Sequence, residues 1–116
     1  MNRRLPTYLL KPITKVKLYC LYRTGMLGEL YHPLPFKNVK SRRVKGSIER
    51  WQAIKRFLGS TPHSSILDVG CNSGFFSINL ARQGHICLGV DINKRALLAA
   101  NLRKELAEVE TASFMY

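Results

Sequence analysis

The sequence predicts an α/β fold in which helices flank a doubly wound parallel sheet. Two short apolar stretches, 66–69 and 86–90, are typical of parallel strands that are buried on both faces. A turn bracketed by glycines, 70–74, follows the first stretch and leads into a helical pattern. The second stretch ends at an acid, Asp91. This order of strand, glycine turn, helix, strand and acid is that of the ligand-binding half of such folds.

The charge of the chain is strongly positive and unevenly placed. The 116 residues are enough for one domain and carry a net charge of +12. Residues 1–60 hold fourteen Lys and Arg side chains against two acids, whereas residues 61–116 hold five of each sign. This asymmetry favours an anionic partner for residues 1–60, either RNA or another nucleic acid, or a membrane surface.

The three cysteines, Cys20, Cys71 and Cys87, form no Cys-x-x-Cys pair. They therefore predict neither a disulfide framework nor a zinc site, and we expect no metal. Residues 1–12 lack the apolar run of a signal peptide, and no stretch approaches the roughly 20 apolar residues of a membrane span. We expect a cytoplasmic protein without a transmembrane segment.

Residues 1–46 form a basic amino-terminal segment ahead of the predicted domain. Ile13, Val16 and Cys20 recur at helical spacing among lysines, which predicts a short basic amphipathic helix. Val16 and Leu18 also alternate with lysines, as they would in a strand. We favour the helix.

A loop and a basic run follow this helix. Glycines and prolines between residues 25 and 36 predict the loop, and residues 37–45 contain five cations and no acid. Cations with aromatic side chains nearby can bind phosphates and stack bases. A solvated linker is the simpler alternative, because a run of charge alone is weak evidence for a site.

The predicted domain, residues 47–116, begins with a helix between Ser47 as N-cap and Gly59 as the residue that ends it. Trp51 on this helix either belongs to the core, which is the commoner case, or borders the ligand site. The helix has one apolar face, made of Ile48, Trp51, Ile54 and Leu58.

Three further elements complete the predicted domain. A helix over 75–83 ends at Gly84. Asn93 is the predicted N-cap of the last helix, and residues 111–116 predict a third strand. The apolar stripe expected to pack this last helix on the sheet consists of Leu98, Leu102, Leu106 and Val109.

Residues 66–74, Ile-Leu-Asp-Val-Gly-Cys-Asn-Ser-Gly, resemble the first motif of the class I S-adenosylmethionine (SAM)-dependent methyltransferases. That motif is similar to hydrophobic-hydrophobic-Asp-x-Gly-x-Gly-x-Gly, and Asn72 stands at its middle glycine. The resemblance covers about residues 47–111 and implies a partial Rossmann-like methyltransferase fold. It further implies that the chain is the amino-terminal, SAM-binding portion of such an enzyme.

The resemblance implies a SAM site at the turn and at the end of the second strand. Asp68 would receive the ammonium group of the cofactor, Asp91 its two ribose hydroxyls, and Ile92 the face of its adenine. Each part has a structural alternative, because glycines serve ordinary tight turns and either aspartate can cap the helix that follows it. The implied cofactor-binding residues are Asp68, Gly70, Cys71, Asn72, Ser73, Gly74, Asp91 and Ile92.

A nicotinamide dinucleotide site is the nearest alternative to a SAM site. Its fingerprint is Gly-x-Gly-x-x-Gly, which lets a pyrophosphate approach a helix N-terminus. Aligned on Gly70, the second and third positions are Asn72 and Phe75, so two of the three glycines are missing. The sequence therefore favours SAM.

The function that the resemblance implies is SAM-dependent methyl transfer to an acceptor that the residues do not name. The positive charge of the basic segment favours RNA as the acceptor. Because the family's sheet has more strands than this chain offers, we name no catalytic residue and expect the chain alone to be inactive, as a truncated or split product. We also expect self-association through an exposed strand edge. The alternative is a catalytically incompetent basic binding module for RNA or an anionic surface.

Overall fold

The computed structural model describes residues 7–24 and 42–116, with side chains for 11–24 and 46–116. The predicted loop at 25–36 and the first part of the basic run, 37–41, lie outside the described residues. In chain order the elements are α1 (Thr7–Arg23), α2 (Arg42–Leu58), β1 (Ser65–Val69), α3 (Phe75–Arg82), β2 (Ile86–Val90), α4 (Lys94–Ala107) and β3 (Ala112–Met115).

The three strands form one parallel sheet in the order β1-β2-β3. In its register Leu67 lies opposite Leu88, and Val90 lies opposite Met115. The strand β2 has the predicted bounds, β1 begins one residue earlier than predicted, and the third strand is present. The α/β fold with a partial Rossmann-like sheet is therefore confirmed.

The core lies between one face of the sheet and the helices α3 and α4. Successive residues of a strand point to opposite faces, so Cys87 and Ala112 share the covered face with Gly89 and Phe114. Small residues dominate this core and let the helices approach the sheet closely. The buried apolar residues of α3 and α4 are Ile78, Leu80, Ala81, Ala96, Leu97, Ala99, Ala100 and Leu102.

The opposite face of the sheet is apolar and exposed. It carries Leu67 and Val69 of β1, Ile86 of β2 and Met115 of β3, all of them exposed. Within the described residues β1 pairs with β2 alone, so one backbone edge of β1 has no strand beside it. Both faces of a parallel sheet are normally covered. The exposed apolar face and the edge of β1 can therefore associate with another chain.

The amino-terminal element α1 is a helix, as we favoured, but it packs with a different stripe from the predicted one. Leu18 is fully buried against Ala99 and Leu102 of α4. The predicted apolar residues Ile13 and Val16 are exposed instead. The prediction was wrong because helical spacing marks more than one stripe on α1, and the surface of α4 decides which stripe is buried.

Two polar contacts fix α1 on α4. The hydroxyl of Thr14 donates to Oε2 of Glu105 at 3.1 Å. Lys11 Nζ lies 2.8 Å from Oε2 of Glu108. Both contacts lie toward the start of α1 from the apolar packing of Leu18, so α1 is held to α4 at several points along its length.

The helix α2 begins at Arg42, five residues before the predicted N-cap Ser47. Ser47 is therefore a buried residue inside the helix and not its cap. The prediction failed because the preceding arginines and lysine are good helix formers and extend the helix backward. Gly59 ends the helix with φ +50°, as predicted, and Trp51 is half-buried.

The helix α4 begins at the predicted cap. The side-chain oxygen of Asn93 accepts hydrogen bonds from the backbone N–H groups of Arg95 and Ala96 at 3.1 and 3.2 Å. The predicted stripe was partly wrong, because Leu98 is exposed and Val109 lies beyond the end of the helix. The helix packs against both the sheet and α1, so its alanines are buried between these two surfaces.

None of the described helices is long and apolar enough to cross a membrane.

Candidate cofactor-binding site

The loop between β1 and α3 is tied to the end of β2. The backbone N–H groups of Gly70 and Cys71 both donate to the carbonyl oxygen of Val90, at 2.8 and 3.0 Å. The N–H of Gly74 closes the turn on the carbonyl oxygen of Cys71 at 2.9 Å. The path requires left-handed backbone at Gly70, Asn72 and Gly74, with φ of +73°, +46° and +74°. Glycine and asparagine are the residues that adopt such angles most readily.

The two glycines of this loop have different roles. A Cβ at Gly70 would meet no atom within 4 Å, so the loop is open on that side. A Cβ at Gly74 would lie 2.6 Å from the ring of Phe114 and 3.1 Å from Cβ of Ala100. Gly74 therefore permits packing of the loop on β3 and α4, whereas Gly70 keeps space free for a ligand.

The carboxylate of Asp91 bridges the loop and the start of α4. Its Oδ2 accepts from the backbone N–H of Asn72 at 2.7 Å, and its Oδ1 accepts from that of Asn93 at 2.8 Å. An ionised carboxylate has about four acceptor positions, so each oxygen of Asp91 keeps capacity for one more donor. Asn93 and not Asp91 is the cap of α4, and the ligand role of Asp91 is compatible with this geometry.

Asp68 at the end of β1 is held by α3. The hydroxyl of Ser77, which is fully buried, donates to Oδ2 of Asp68 at 2.6 Å. The first turn of α3 follows Gly74 and receives no side-chain cap, so Asp68 does not cap that helix. Its remaining acceptor positions can bind a cationic group beside the loop.

Asn72 has a buried amide oxygen that lacks a partner. The residue is 2% exposed, and among the described residues its Oδ1 is the one buried side-chain nitrogen or oxygen atom without a hydrogen bond. A buried polar group without a partner destabilises a protein by about 1–3 kcal/mol. A half-turn about the Cβ–Cγ bond exchanges the amide oxygen and nitrogen, so this side chain can offer either to a ligand or a water. The orphaned amide fits a site that is completed by a bound molecule.

Cys71 and Ser73 have fully buried side chains and support the loop from behind. Burial, reinforced by the charges of Asp68 and Asp91, raises the pKa of the Cys71 thiol to about 12. The thiol is therefore neutral at physiological pH and is a poor nucleophile. A ligand on the open side of the loop would therefore contact the backbone of Cys71 and Ser73 and not their side chains.

Arg103 is a residue of the site region that the sequence analysis missed. Its Nη1 donates to Oγ of Ser73 at 3.0 Å, and its guanidinium lies 5.8 Å from the centre of the Phe75 ring. Burial, and then the charge of Arg82, lowers the pKa of Arg103 to about 10, so it is still a cation at neutral pH. No motif spacing in the sequence marks this contact.

An open cleft of about 600 Å³ lies beyond the ends of β2 and β3. Ile92 and Tyr116 are exposed there, and Lys94 Nζ lies 4.3 Å from the centre of the Tyr116 ring. The sequence analysis missed Tyr116, although its position directly after the third strand was a usable signal. The cleft is lined by Ile92, Asn93, Lys94, Arg95 and Tyr116.

The structure brings the predicted site residues to one edge of the sheet. Asp68, the loop 70–74 and Asp91 lie together at the carboxyl ends of β1 and β2, and Ile92 borders the adjoining cleft. Ligands of open α/β sheets bind at this end of the strands. The arrangement offers two carboxylates, an open turn and an apolar wall, which suit a ligand with a cationic group, hydroxyls and a flat ring.

Comparison with known proteins agrees with this geometry. A family model described as a methyltransferase domain matches residues 67–115. The chain is 38% identical over 63 residues to the ubiquinone biosynthesis O-methyltransferase of Alkalilimnicola ehrlichii, which is 54% of this chain and 26% of that protein. The chain thus spans about a quarter of the length of this curated relative.

Solved structures share the fold. Magnesium protoporphyrin IX methyltransferase from Synechocystis PCC 6803, solved with bound SAM, matches with a TM-score of 0.60 and 24% identity, over 99% of this chain and 56% of that one. WbdD matches with a TM-score of 0.56 and 25% identity, over 84% of this chain and 23% of that one. The matched residues 67–115, the curated relative and the shared fold make the chain similar to class I SAM-dependent methyltransferases.

Proposed function

We propose that the chain binds SAM at the edge of the sheet formed by β1 and β2, and that the protein to which it belongs transfers the methyl group of SAM to an acceptor. The observation that carries the proposal is the position of Asp91. Its carboxylate is fixed by two backbone N–H groups beside the open side of Gly70 and keeps capacity for two hydroxyl donors.

The residues that hold the cofactor have distinct tasks. Asp91 accepts the ribose hydroxyls, and Asp68 receives the ammonium group directly or through a water. Ile92 packs on the adenine, which the adjoining cleft has room to hold. When bound, SAM supplies an electrophilic methyl group on a sulfonium. The chain's own residues orient the cofactor.

The electrostatics of the loop support SAM over a dinucleotide. Burial, and then the charges of Asp68 and Asp91, raise the pKa of Cys71, in keeping with a negative potential at the loop. A sulfonium and an ammonium group are attracted by that potential, whereas a pyrophosphate is repelled. Phe75, at the first position of α3, also occupies the place of the third glycine of a dinucleotide fingerprint.

Calorimetric titration of the full chain with SAM and, separately, with NAD tests the proposal. We expect SAM to bind and NAD to show no heat of binding under the same conditions. S-adenosylhomocysteine, which retains the ribose, adenine and amino-acid groups, is expected to compete with SAM. Binding of NAD with equal or higher affinity than SAM would contradict the proposal, and so would the absence of SAM binding.

The acceptor is a finer question, and RNA is the candidate that the charge supports. Residues 1–60 carry the whole net charge of +12, which suits a polyanionic acceptor. The names of the relatives above give no support to RNA as the acceptor. The charge of residues 1–60 alone therefore supports this acceptor. The same charge supports the second candidate, a catalytically incompetent module that binds RNA or an anionic surface.

Self-association through β1 is a further part of the proposal. The exposed edge of β1 and the exposed Leu67 and Val69 can pair with another copy of the chain or with a separate chain. We therefore expect oligomers in size-exclusion chromatography with light scattering, and no methyl transfer by the chain alone in a radiolabelled SAM assay over bulk tRNA. A monomer that transfers methyl groups would contradict both expectations.

A further inference from the structure

The outer face of α1 presents an apolar stripe to solvent. Because α1 is seated on α4 through Thr14 and Leu18, the stripe formed by Ile13, Val16 and Cys20 points away from the domain. Ile13 is 59% exposed and Val16 is 62% exposed. We call these three residues, with Lys17 and Arg23, the outer face of α1.

Cations flank this stripe on both sides. With about 100° between successive helical residues, Lys17 borders the stripe beside Ile13, and Arg23 borders it beside Val16. Both side chains are exposed. The helix contains no Asp or Glu, and Lys11, which pairs with Glu108, lies on the buried side. The outer face is therefore apolar in its middle and cationic at its margins.

We propose that the outer face of α1 binds the surface of a membrane that contains anionic phospholipids. An interfacial helix inserts its apolar side chains at the boundary of headgroups and acyl chains. Cations at its margins extend their charged ends to the lipid phosphates while their methylene chains cover apolar surface. Ile13 and Val16 with Lys17 and Arg23 match this arrangement.

The apolar stripe favours lipid over RNA as the partner. RNA phosphates need cations, and bases stack on aromatic rings or on arginine. Ile13 and Val16 offer neither, and their exposure has no use in an RNA complex. A bilayer uses both parts of the face, because it buries the aliphatic side chains and attracts the cations.

Because α1 is attached to α4, binding of α1 to a membrane also positions the rest of the domain. The contacts of Leu18, Thr14 and Lys11 with α4 hold the helix to the sheet that carries the cofactor-binding edge. Adsorption of α1 therefore brings that sheet to the membrane surface. Since none of the described helices can cross a membrane, the predicted mode is binding at the surface. The inference does not depend on SAM binding.

Sedimentation of the full chain with lipid vesicles tests the inference. We expect it to bind vesicles of phosphatidylcholine and phosphatidylglycerol, and not vesicles of phosphatidylcholine alone. Lys17→Gln with Arg23→Gln is expected to weaken binding by about 30-fold, because each cation near an anionic surface contributes about five-fold. Ile13→Ser with Val16→Ser is expected to weaken it by at least about tenfold. All variants need unchanged circular dichroism.

A matched control is the pair Lys55→Gln and Arg56→Gln on α2, which removes two exposed cations from a different helix. We expect it to weaken vesicle binding much less than the α1 pair. Equal losses would mean that binding follows net charge and would overturn the inference. The absence of vesicle binding would overturn it as well. Anisotropy with a labelled single-stranded RNA provides the last measurement. Tight RNA binding that needs Lys17 and Arg23 but is unaffected by the changes at Ile13 and Val16 would assign the face to RNA instead.

Discussion

The backbone N–H of Asn72 donates to Oδ2 of Asp91 at 2.7 Å, across the gap between the first loop and the end of the second strand. The same carboxylate accepts from the N–H of Asn93 at the start of α4. The acid proposed to bind ribose therefore also holds the loop that is proposed to carry the rest of the cofactor. In this proposal, ligand binding and loop geometry are coupled through one side chain.

Replacing Asp91 with alanine is expected to weaken SAM binding and to destabilise the fold. The change removes the acceptor for two backbone N–H groups, which lowers the free energy of unfolding by about 1–3 kcal/mol. It also removes two charge-assisted hydrogen bonds to the ribose, each worth about 1.5–3 kcal/mol before compensation by water. Calorimetry with SAM and thermal unfolding measure the two effects.

Asn93→Ala is the matched control for this prediction. It removes the cap of α4, which lowers stability by about 0.5–2 kcal/mol, but it leaves the carboxylate of Asp91 in place. We expect its SAM affinity to be close to that of the wild type. If Asp91→Ala binds SAM as well as Asn93→Ala does, Asp91 does not contact the cofactor.

The two loop glycines are expected to differ when each is replaced by alanine. Gly70→Ala places a methyl group in the open space of the site and strains the backbone by about 1–2 kcal/mol, so SAM binding is lost while the fold survives. Gly74→Ala adds a clash with Phe114 to similar strain, so the free energy of unfolding falls further. Urea denaturation measures the free energy of unfolding of each variant.

Gly46→Ala is the control, because a Cβ there meets no atom within 4 Å and alanine favours the helix. Equal stability of the Gly70 and Gly74 variants would contradict the assignment of packing to Gly74.

Asn72→Gly is expected to reduce SAM affinity by about five- to tenfold, the contribution of one hydrogen bond, without lowering stability. Glycine adopts the φ of +46° freely, and the change removes a buried amide oxygen that has no partner. Asn72→Ala provides the comparison, since it loses the same amide but keeps the strained backbone. We expect it to bind SAM as weakly as Asn72→Gly and to unfold more easily by about 1 kcal/mol. Undiminished affinity in both variants would show that the amide does not contact the cofactor.

The cysteines are expected to react very unequally with a thiol reagent at mildly alkaline pH. Cys20 is exposed, whereas Cys71 and Cys87 are buried. Burial is the main cause that raises the pKa of Cys71 to about 12 and that of Cys87 to about 11. Ellman's reagent should therefore label one thiol rapidly in the native chain and three in denaturant. Rapid labelling of two or three thiols in the native chain would contradict the burial of Cys71 and Cys87.

The same pKa shifts predict a loss of stability in alkali. A thiol has a pKa of about 8.5 in the unfolded chain, so between that value and about 11 the unfolded state releases protons that the native state keeps. The unfolded state is then favoured, and the free energy of unfolding falls as the pH rises. Cys87→Ala should flatten this slope in denaturant titrations at several pH values. An unchanged slope would mean that Cys87 is not shielded as described.

The sequence by itself determined the features that depend on neighbours along the chain. Residues 86–90 are apolar throughout and bounded by turn residues, so their strand could be predicted with its bounds. Asn93 as the cap of α4 and Gly59 as the end of α2 follow from local backbone chemistry. The motif at 66–74 and the acid after the second strand likewise predicted that the loop, Asp68 and Asp91 lie at one edge of the sheet.

Only the tertiary structure decided which surfaces meet. The spacing of Ile13 and Val16 defines a stripe on α1, but the alanine surface of α4 buries Leu18 instead, because packing rewards the fit of two surfaces and not the periodicity of one. The contact of Gly74 with Phe114 and the bond from Arg103 to Ser73 join residues that lie at least 30 positions apart. No local rule relates such residues, since their distance is set by the sheet order and by how the helices pack on it.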